Sequence, residues 1–203
     1  MGHTREQVEA AVKAKGYVYF EDTNNKGFDV NIIGIRNAAT GQKVTNAFDD
    51  LITVSYKDET GTWKYHEWPA TTDPGKKGVM EYHNAAGVAR LVEGQYRGSH
   101  GIGLHQGKYE ALKQAKNVKV YRDANRDLTY DENKIAEGVF GINIHKAGAD
   151  STYVENWSEG CQVFKRSADF EEFMKICRKA RDTHGNSFTY TLIESKDLIN
   201  PLD

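Results

Sequence analysis

Short alternating segments bounded by turn residues recur along the chain and predict a mainly β fold. Residues 51–56 and 62–68 flank a Gly-containing loop, and Trp63 and Tyr65 alternate with polar neighbours in the second segment. Residues 187–193 alternate in the same way near the end of the chain. Because successive side chains of a strand point to opposite faces, each segment buries one face and exposes the other. Many short strands of this kind are typical of a β-sandwich or a β-barrel.

Two helical patterns lie near the two ends of the chain, which makes the expected fold class mainly β (α+β). Thr4 and Gln7 form a capping-box pattern ahead of residues 5–15, and Gly16 follows as a stop signal. A longer helix is predicted to end near Thr183. Its apolar residues recur at helical spacing and form one stripe: Phe170, Phe173, Met174, Cys177 and Ala180. We expect one domain over residues 1–203.

The N-terminal third of the chain has strand patterns but no residues that suggest chemistry. Residues 17–20 and 29–36 look like strands, and residues 39–41 look like the turn that ends the second of them. We therefore consider residues 1–45 as a candidate N-terminal extension packed on the rest of the domain.

Composition excludes several classes of function. The chain has 203 residues, of which 38% are hydrophobic and 28% are charged, as in ordinary globular domains. The net charge of −2 gives no electrostatic basis for binding nucleic acid or an anionic membrane. No apolar run approaches the roughly 18 residues of a membrane span, so we expect no membrane insertion. The first 15 residues are polar and show no secretory signal.

The segment at residues 141–164 carries the residues that suggest catalysis. Ile142 and Ile144 point to one face of a short strand, so His145 falls on the other face. Cys161 follows His145 by 16 positions, after a polar loop. This spacing suits two neighbouring strands joined by a long loop, which would bring an imidazole and a thiol together.

A thiol beside an imidazole has the chemistry of a cysteine enzyme. A free thiol with a pKa of about 8.5 is only slightly ionised at neutral pH, and His145 could accept the proton of Cys161. Gly160 would let the chain bend before the nucleophile, and the amides of Gly160 and Cys161 would then face an oxyanion. By contrast, Cys177 lies on the apolar stripe of the second helix, where it is expected to be a core residue. Two cysteines in these roles do not form a disulfide framework.

The same segment resembles the signature of the L,D-transpeptidase (YkuD-like) catalytic domain. His145 matches the first histidine of that signature, Ser158 its hydroxyl residue, Gly160 its glycine and Cys161 its nucleophile. Glu159 stands where the family has a second histidine. The residues after the nucleophile, Gln162 and Val163, also differ from the family's apolar residue followed by Arg or Asn.

The resemblance implies a β-sandwich or barrel-like catalytic domain that acts on the peptide stems of peptidoglycan. A thioester on Cys161 would pass its acyl group to water in a hydrolase or to an amine in a transpeptidase. The changed residues after the nucleophile favour hydrolysis, in a lysis role such as that of phage or prophage proteins. We expect a monomer that needs no cofactor and acts at the bacterial cell wall. Because no secretory signal is visible, we expect another factor to carry the protein there.

Three residues of the segment 96–105, which follows a Gly-containing turn, are predicted to bind substrate. Arg97 could hold a substrate carboxylate through its bidentate fork, and Tyr96 and His105 could line the cleft. The same sequence also permits a zinc site built from His100, His105, His145 and Cys161. None of these residues has the spacing of a helical zinc motif or a Cys-x-x-Cys clip, so we predict no metal there.

Residues 123–131 begin like a calcium loop, but Leu128 stands where the EF-hand requires glycine. Asx turns explain the acidic residues without a metal.

Two other functions fit the same residues. A binding module could keep the fold and hold cell-wall peptides without cleaving them, since the charge of Glu159 beside Cys161 opposes thiolate formation. A zinc peptidase could use the histidine cluster.

Overall fold

The computed structural model describes residues 2–37, 42–131, 133–148 and 151–198. The elements run in the following order along the chain: α1 (Arg5–Ala14), β1 (Asn31–Arg36), β2 (Asp50–Lys57), β3 (Trp63–Thr71), α2 (Lys76–Met80), β4 (Val88–Leu91), β5 (Gly94–His105), β6 (Tyr109–Gln114), β7 (Val118–Asp123), β8 (Ile135–Gly138), β9 (Ile144–Lys146), β10 (Gln162–Phe164), α3 (Ser167–His184), β11 (Phe188–Glu194) and a short 3₁₀ turn (Ser195–Asp197). Strands predominate, with a helix near each end, so the predicted mainly β, α+β fold class is confirmed.

Eight of the described strands close into a barrel in the order β1-β11-β5-β6-β9-β10-β3-β2. A separate three-stranded sheet has the order β4-β7-β8. Most neighbours in the barrel are antiparallel, but β1 pairs with β11 and β9 pairs with β10 in parallel. The predicted hairpin at residues 51–68 is confirmed as β2 and β3.

Helix α3 closes the interior of the barrel with the stripe that the sequence predicts. Phe170, Phe173 and Met174 are almost fully buried and share one cluster with barrel residues such as Phe164. Cys177 belongs to the same cluster and is fully buried, so its prediction as a core residue is confirmed. Burying a phenylalanine side chain contributes about 1.5–3 kcal/mol, which makes this stripe a principal source of stability.

Helix α1 packs on the outside of the barrel. Its Thr4 and Gln7 form the predicted capping box, and Val8 and Val12 are buried in a second cluster with Ile33 of β1. However, β1 itself is a barrel strand, so residues 31–36 are part of the barrel and not of an N-terminal extension. Residues 39–41, where a turn was predicted, lie outside the described residues.

Residues 17–20 do not form the predicted strand because side chains satisfy their backbone groups. The Asn31 amide group exchanges two hydrogen bonds with the backbone of Phe20, at 2.7 and 2.9 Å. Gln95 does the same for Val18, at 3.0 and 2.8 Å. These side chains replace a neighbouring strand, and the segment runs as a loop from Gln95 of β5 to Asn31 of β1. Among the described residues, no helix combines the length and the apolar character needed to cross a membrane.

Candidate active site

His145 lies on β9, and Cys161 lies immediately before β10, the parallel neighbour of β9. In β9 and β10, His145 is opposite Val163 and the Gln162 amide donates to the Asn143 carbonyl at 2.9 Å. Cys161 precedes Val163 by two residues and so lies on the same face as His145. That face is the outside of the barrel, because Ile144 points into the interior cluster.

The hydrogen bonds of His145 fix its tautomer. Its Nδ1 lies 2.8 Å from the carbonyl oxygen of Lys146, and a carbonyl can only accept, so Nδ1 carries the proton. The unprotonated Nε2 therefore remains available as a base. His145 is buried, and burial together with the nearby His105 lowers its pKa to about 4. At neutral pH the ring is uncharged. The Tyr109 hydroxyl also donates to the Lys146 carbonyl, at 3.4 Å, so this carbonyl accepts from both Tyr109 and His145.

A chain of hydrogen bonds fixes His105 beside His145. The backbone amide of Gln114 donates to Oδ1 of Asn143 at 2.9 Å. The other end of the Asn143 side chain, Nδ2, must therefore face His105. Nδ2 donates to Nδ1 of His105 at 3.1 Å, which leaves the His105 proton on Nε2. Burial lowers the pKa of His105, with Lys113 and Lys108 acting in the same direction. His105 therefore offers a neutral N–H donor at the site.

The Cys161 thiol is half-buried. Its Sγ donates to the carbonyl oxygen of Gly141 at 3.3 Å, and no hydrogen bond joins it to His145. Burial raises the pKa of Cys161 to about 11, and the carboxylate of Glu159 contributes to the increase. The backbone amide of Asn143 acts in the opposite direction. The resting pair is thus a thiol and a neutral imidazole, not the thiolate–imidazolium pair that the sequence suggested.

Ser158 and Gly160 shape the loop that presents Cys161. The Ser158 hydroxyl donates to the Cys161 carbonyl at 2.8 Å and accepts from the Gly160 amide at 3.1 Å. Gly160 has a φ of +130°, and a Cβ there would overlap the carbonyl oxygen of Ala89. Ser158 is fully buried, so it holds the loop and does not face a substrate.

The predicted pair of oxyanion donors is corrected by these contacts. The Gly160 amide is already bonded to Ser158 and cannot also face an oxyanion. The Cys161 amide has no hydrogen-bond partner among the described residues. One backbone donor therefore remains at Cys161, and His105, which lines the same cavity, is a candidate for a second donor.

A cavity of about 940 Å³ brings these side chains together. Cys161, His145, His105 and Tyr109 line one part of it, and Trp157 borders it with a 42% exposed side chain. The charged side chains of the cavity are of both signs: Lys77, Glu81, Lys108, Lys146 and Glu159. The volume lies within the range of small-molecule and peptide sites in proteins.

The structure does not bring Arg97 and Tyr96 to this cavity. Both lie on β5 with His105, but 105 − 97 = 8 residues at about 3.3 Å each separate Arg97 from His105 by roughly 26 Å. Arg97 instead lines a different cavity beside Phe20. The Tyr96 hydroxyl donates to the Val92 carbonyl at 2.6 Å. The substrate-binding role predicted for these two residues is therefore withdrawn, and His105 alone stays at the site.

His100 does not join the other three residues of the proposed zinc set. Its Nε2 donates to the Ile142 carbonyl at 2.7 Å, and its Nδ1 accepts from Ser99 at 2.7 Å. Both ring nitrogens are thereby used within the barrel. In the described part of the chain, no group of three or more His, Cys, Asp or Glu residues has the geometry of a metal site.

The loop at residues 123–131 contains the Asx turns that its sequence predicts. The side chains of Asp123, Asn125 and Asp127 each accept from a backbone amide two residues further on, at 3.3, 2.9 and 2.8 Å. These hydrogen bonds explain why acidic and Asn side chains occur in this loop without a bound cation.

Comparison of the chain with protein-family models, with curated proteins and with solved structures finds no match. The likeness to L,D-transpeptidases rests on the residues around His145 and Cys161.

Proposed function

We propose that this protein is a cysteine enzyme that attacks an amide bond in the peptide stems of peptidoglycan, as an L,D-transpeptidase-like hydrolase or transpeptidase. The observation that carries the proposal is the arrangement of His145. Its Nδ1 proton is held by the Lys146 carbonyl, and its free Nε2 shares a cavity with the thiol of Cys161. A nucleophile, a base and a group that orients the base are the parts that such a reaction needs.

The first half of the reaction forms a thioester. Rotation of the Cys161 side chain frees the thiol from the Gly141 carbonyl, since catalytic hydrogen bonds often form only with substrate bound. The sulfur then bonds to the carbonyl carbon of the substrate while its proton passes to Nε2 of His145. The carbon–nitrogen bond breaks, and the same proton passes to the leaving amine.

The resting pKa values indicate general-base catalysis. With the pKa of Cys161 at about 11 and that of His145 at about 4, a free ion pair is strongly disfavoured. The proton therefore leaves the thiol as the sulfur–carbon bond forms. The developing negative charge on the substrate oxygen can accept hydrogen bonds from the Cys161 amide and from Nε2–H of His105.

The second half of the reaction releases the acyl group. Water gives a hydrolase and an amine gives a transpeptidase; in either case the acceptor loses a proton to His145, and the departing Cys161 sulfur takes it back. We favour water, because the residues after the nucleophile differ from those of the resembled family. The proposed place of action is the bacterial cell wall, and the proposed working form is a monomer.

The test is incubation with purified muropeptides followed by mass spectrometry. We expect the parent protein to convert them and Cys161→Ala to abolish conversion. Cys177→Ala serves as the matched control, because Cys177 is buried in the core and must leave the chemistry intact. Equal loss in both variants at equal folded fraction, or no conversion by the parent, contradicts the proposal.

An inert cell-wall peptide-binding module is the second candidate, and Glu159 supports it. Its carboxylate contributes to the raised pKa of Cys161 and pairs with His83 at 2.9 Å, at the edge of the cavity. A module of this kind would bind muropeptides without converting them. Binding by the parent protein that is equal to binding by Cys161→Ala, with no product from either, would favour the module.

A further inference from the structure

A second cavity of about 410 Å³ meets the first cavity at Cys161. Cys161, Glu159 and His83 line both cavities. The wall of the second cavity mixes polar and apolar groups. Its remaining residues come from the segment before β4, from the small sheet and from the segment before β9: Asn84, Gly87, Val88, Ala89, Arg122, Val139, Phe140, Gly141 and Ile142. The thiol thus lies where two separate spaces join.

Arg122 is the one arginine in the wall of this second cavity, and the contacts of its side chain hold it in place. It lies on β7 opposite Ala89 of β4, the residue whose carbonyl abuts Gly160. Its Nη1 donates to the Gly87 carbonyl at 3.0 Å. Its guanidinium carbon lies 4.6 Å from the centre of the Phe140 ring. The cation is therefore fixed close to the loop that presents the nucleophile.

The charge of Arg122 has no counterion within the described part of the chain. Every salt bridge found there involves other residues, and the buried Nε–H of Arg122 has no acceptor. Burial lowers its pKa, which means that the charged guanidinium is partly desolvated without compensation. Glu159 lines the same cavity, but its carboxylate lies within hydrogen-bond distance of His83 Nδ1, at 2.9 Å, and forms no salt bridge with Arg122 among the described residues. A half-buried arginine of this kind favours a ligand that brings its own negative charge.

We propose that Arg122 binds a free carboxylate of the stem peptide in the second cavity and so sets which side of Cys161 the charged end of the peptide occupies. This inference rests on the proposed function for the identity of the peptide. Apolar residues of the wall such as Val88 and Val139 would contact the peptide's aliphatic side chains, and the terminal nitrogens of the guanidinium would bind the carboxylate. Arg122 is thus a specificity-determining residue, in the role that the sequence suggested for Arg97.

Calorimetry on the Cys161→Ala protein tests the site without turnover. The probes are a synthetic stem tetrapeptide with free carboxyl groups and the same peptide with all its carboxyl groups amidated. We expect the acid to bind at least about tenfold more tightly than the amide, since a hydrogen bond to a charged group is stronger than one between neutral groups. A second substitution, Arg122→Gln, should remove this preference, and Arg122→Lys should restore part of it.

Arg126→Gln is the control, because Arg126 lies over the ring of Tyr82 and lines neither cavity. Equal binding of acid and amide by the Cys161→Ala protein, or a preference that survives Arg122→Gln, overturns the inference; so does failure of both peptides to bind. A protein that prefers the acid through Arg122 but converts no muropeptide would refute the enzyme and leave the carboxylate site intact.

Discussion

The imidazole rings of His105 and His145 stack with their centres 4.1 Å apart and their planes 16° from parallel. Two stacked imidazoles are unfavourable when both are doubly protonated, because the two positive charges would repel at short range. His105 therefore helps to keep His145 neutral, and a neutral His145 is the form that can accept a proton. The hydrogen bond from Asn143 Nδ2 to Nδ1 of His105 orients the His105 ring of this pair.

Alkylation of Cys161 should report a thiol that is not activated at rest. Because its pKa is about 11, the thiolate fraction should increase about tenfold per pH unit between pH 7 and pH 10. We expect the rate of reaction with iodoacetamide to follow, without a plateau, when measured by mass spectrometry of the Cys161 peptide. Cys177 is the internal control and should stay unlabelled while the protein is folded. A plateau with a midpoint below pH 7 would indicate an ion pair.

Replacement of Glu159 by glutamine should make Cys161 more reactive. The Glu159 carboxylate raises the pKa of the thiol, so removing its charge lowers that pKa and shifts the alkylation profile to lower pH. We expect roughly a two- to tenfold faster reaction at pH 8 in low salt, an effect that salt reduces. The control is Glu81→Gln, which removes a carboxylate from the same cavity wall. An unchanged or slower rate in Glu159→Gln would contradict the electrostatic account.

Alanine at position 160 should disturb the loop of the nucleophile. Its φ of +130° disfavours an L side chain, and the new Cβ would overlap the Ala89 carbonyl. We expect a loss of about 2–4 kcal/mol in the free energy of unfolding, measured with urea. Gly107→Ala is the control, because Gly107 has a φ of +69° but open space around its Cβ position, and it should lose only about 1 kcal/mol. Equal losses would show that the contact with Ala89 is unimportant.

The buried carboxyl of Asp50 should make stability depend on pH. Burial and the neighbouring Asp73 raise its pKa to about 7, so the folded state binds a proton that the unfolded chain has already lost. Its contribution to the free energy of unfolding is full below about pH 4 and decreases as the pH rises through about 7. Asp50→Asn should therefore gain stability relative to the parent between pH 5 and pH 7.5.

Asp58→Asn is the matched control for this titration. The hydrogen bonds of Asp58 with Thr60 and the Thr62 amide lower its pKa to about 2, so its contribution is already full above about pH 5. The difference between Asp58→Asn and the parent should stay constant over the range in which the Asp50→Asn difference grows. A constant difference for both variants would refute the titration of Asp50.

Local sequence signals predicted the elements well, and the strand pairing only in part. The capping box at Thr4 and the stripe around Phe173 determine α1 and α3 through contacts within a few residues. Barrel closure depends on the parallel pairing of β1 with β11, which are separated by most of the chain. The alternation of apolar residues predicts each strand but does not show which strand it pairs with. Strand β6 also went unrecognised, because its Tyr109–Gln114 sequence mixes charged and apolar residues on both faces.

The proximity of His145 and Cys161 was predictable, but their hydrogen-bond partners were not. The spacing of His145 and Cys161 indicated neighbouring strands, and the structure places His145 on β9 and Cys161 directly before its parallel neighbour β10. Arg97 was misplaced because β5 is one long strand, which keeps Arg97 eight residues away from His105. The role of Asn143 depends on a hydrogen bond to His105 across 38 positions, which only the folded barrel brings into contact.

The most direct test of the central claim is to trap the acyl group on the nucleophile. The protein would be mixed with a stem tetrapeptide, quenched in acid within one turnover and digested for mass spectrometry. We predict that the peptide containing Cys161 gains the mass of the acyl group in the parent, and that His145→Ala forms this adduct about 10²- to 10⁴-fold more slowly. Conversion of the tetrapeptide without any adduct on Cys161, or at an undiminished rate in His145→Ala, would contradict the account.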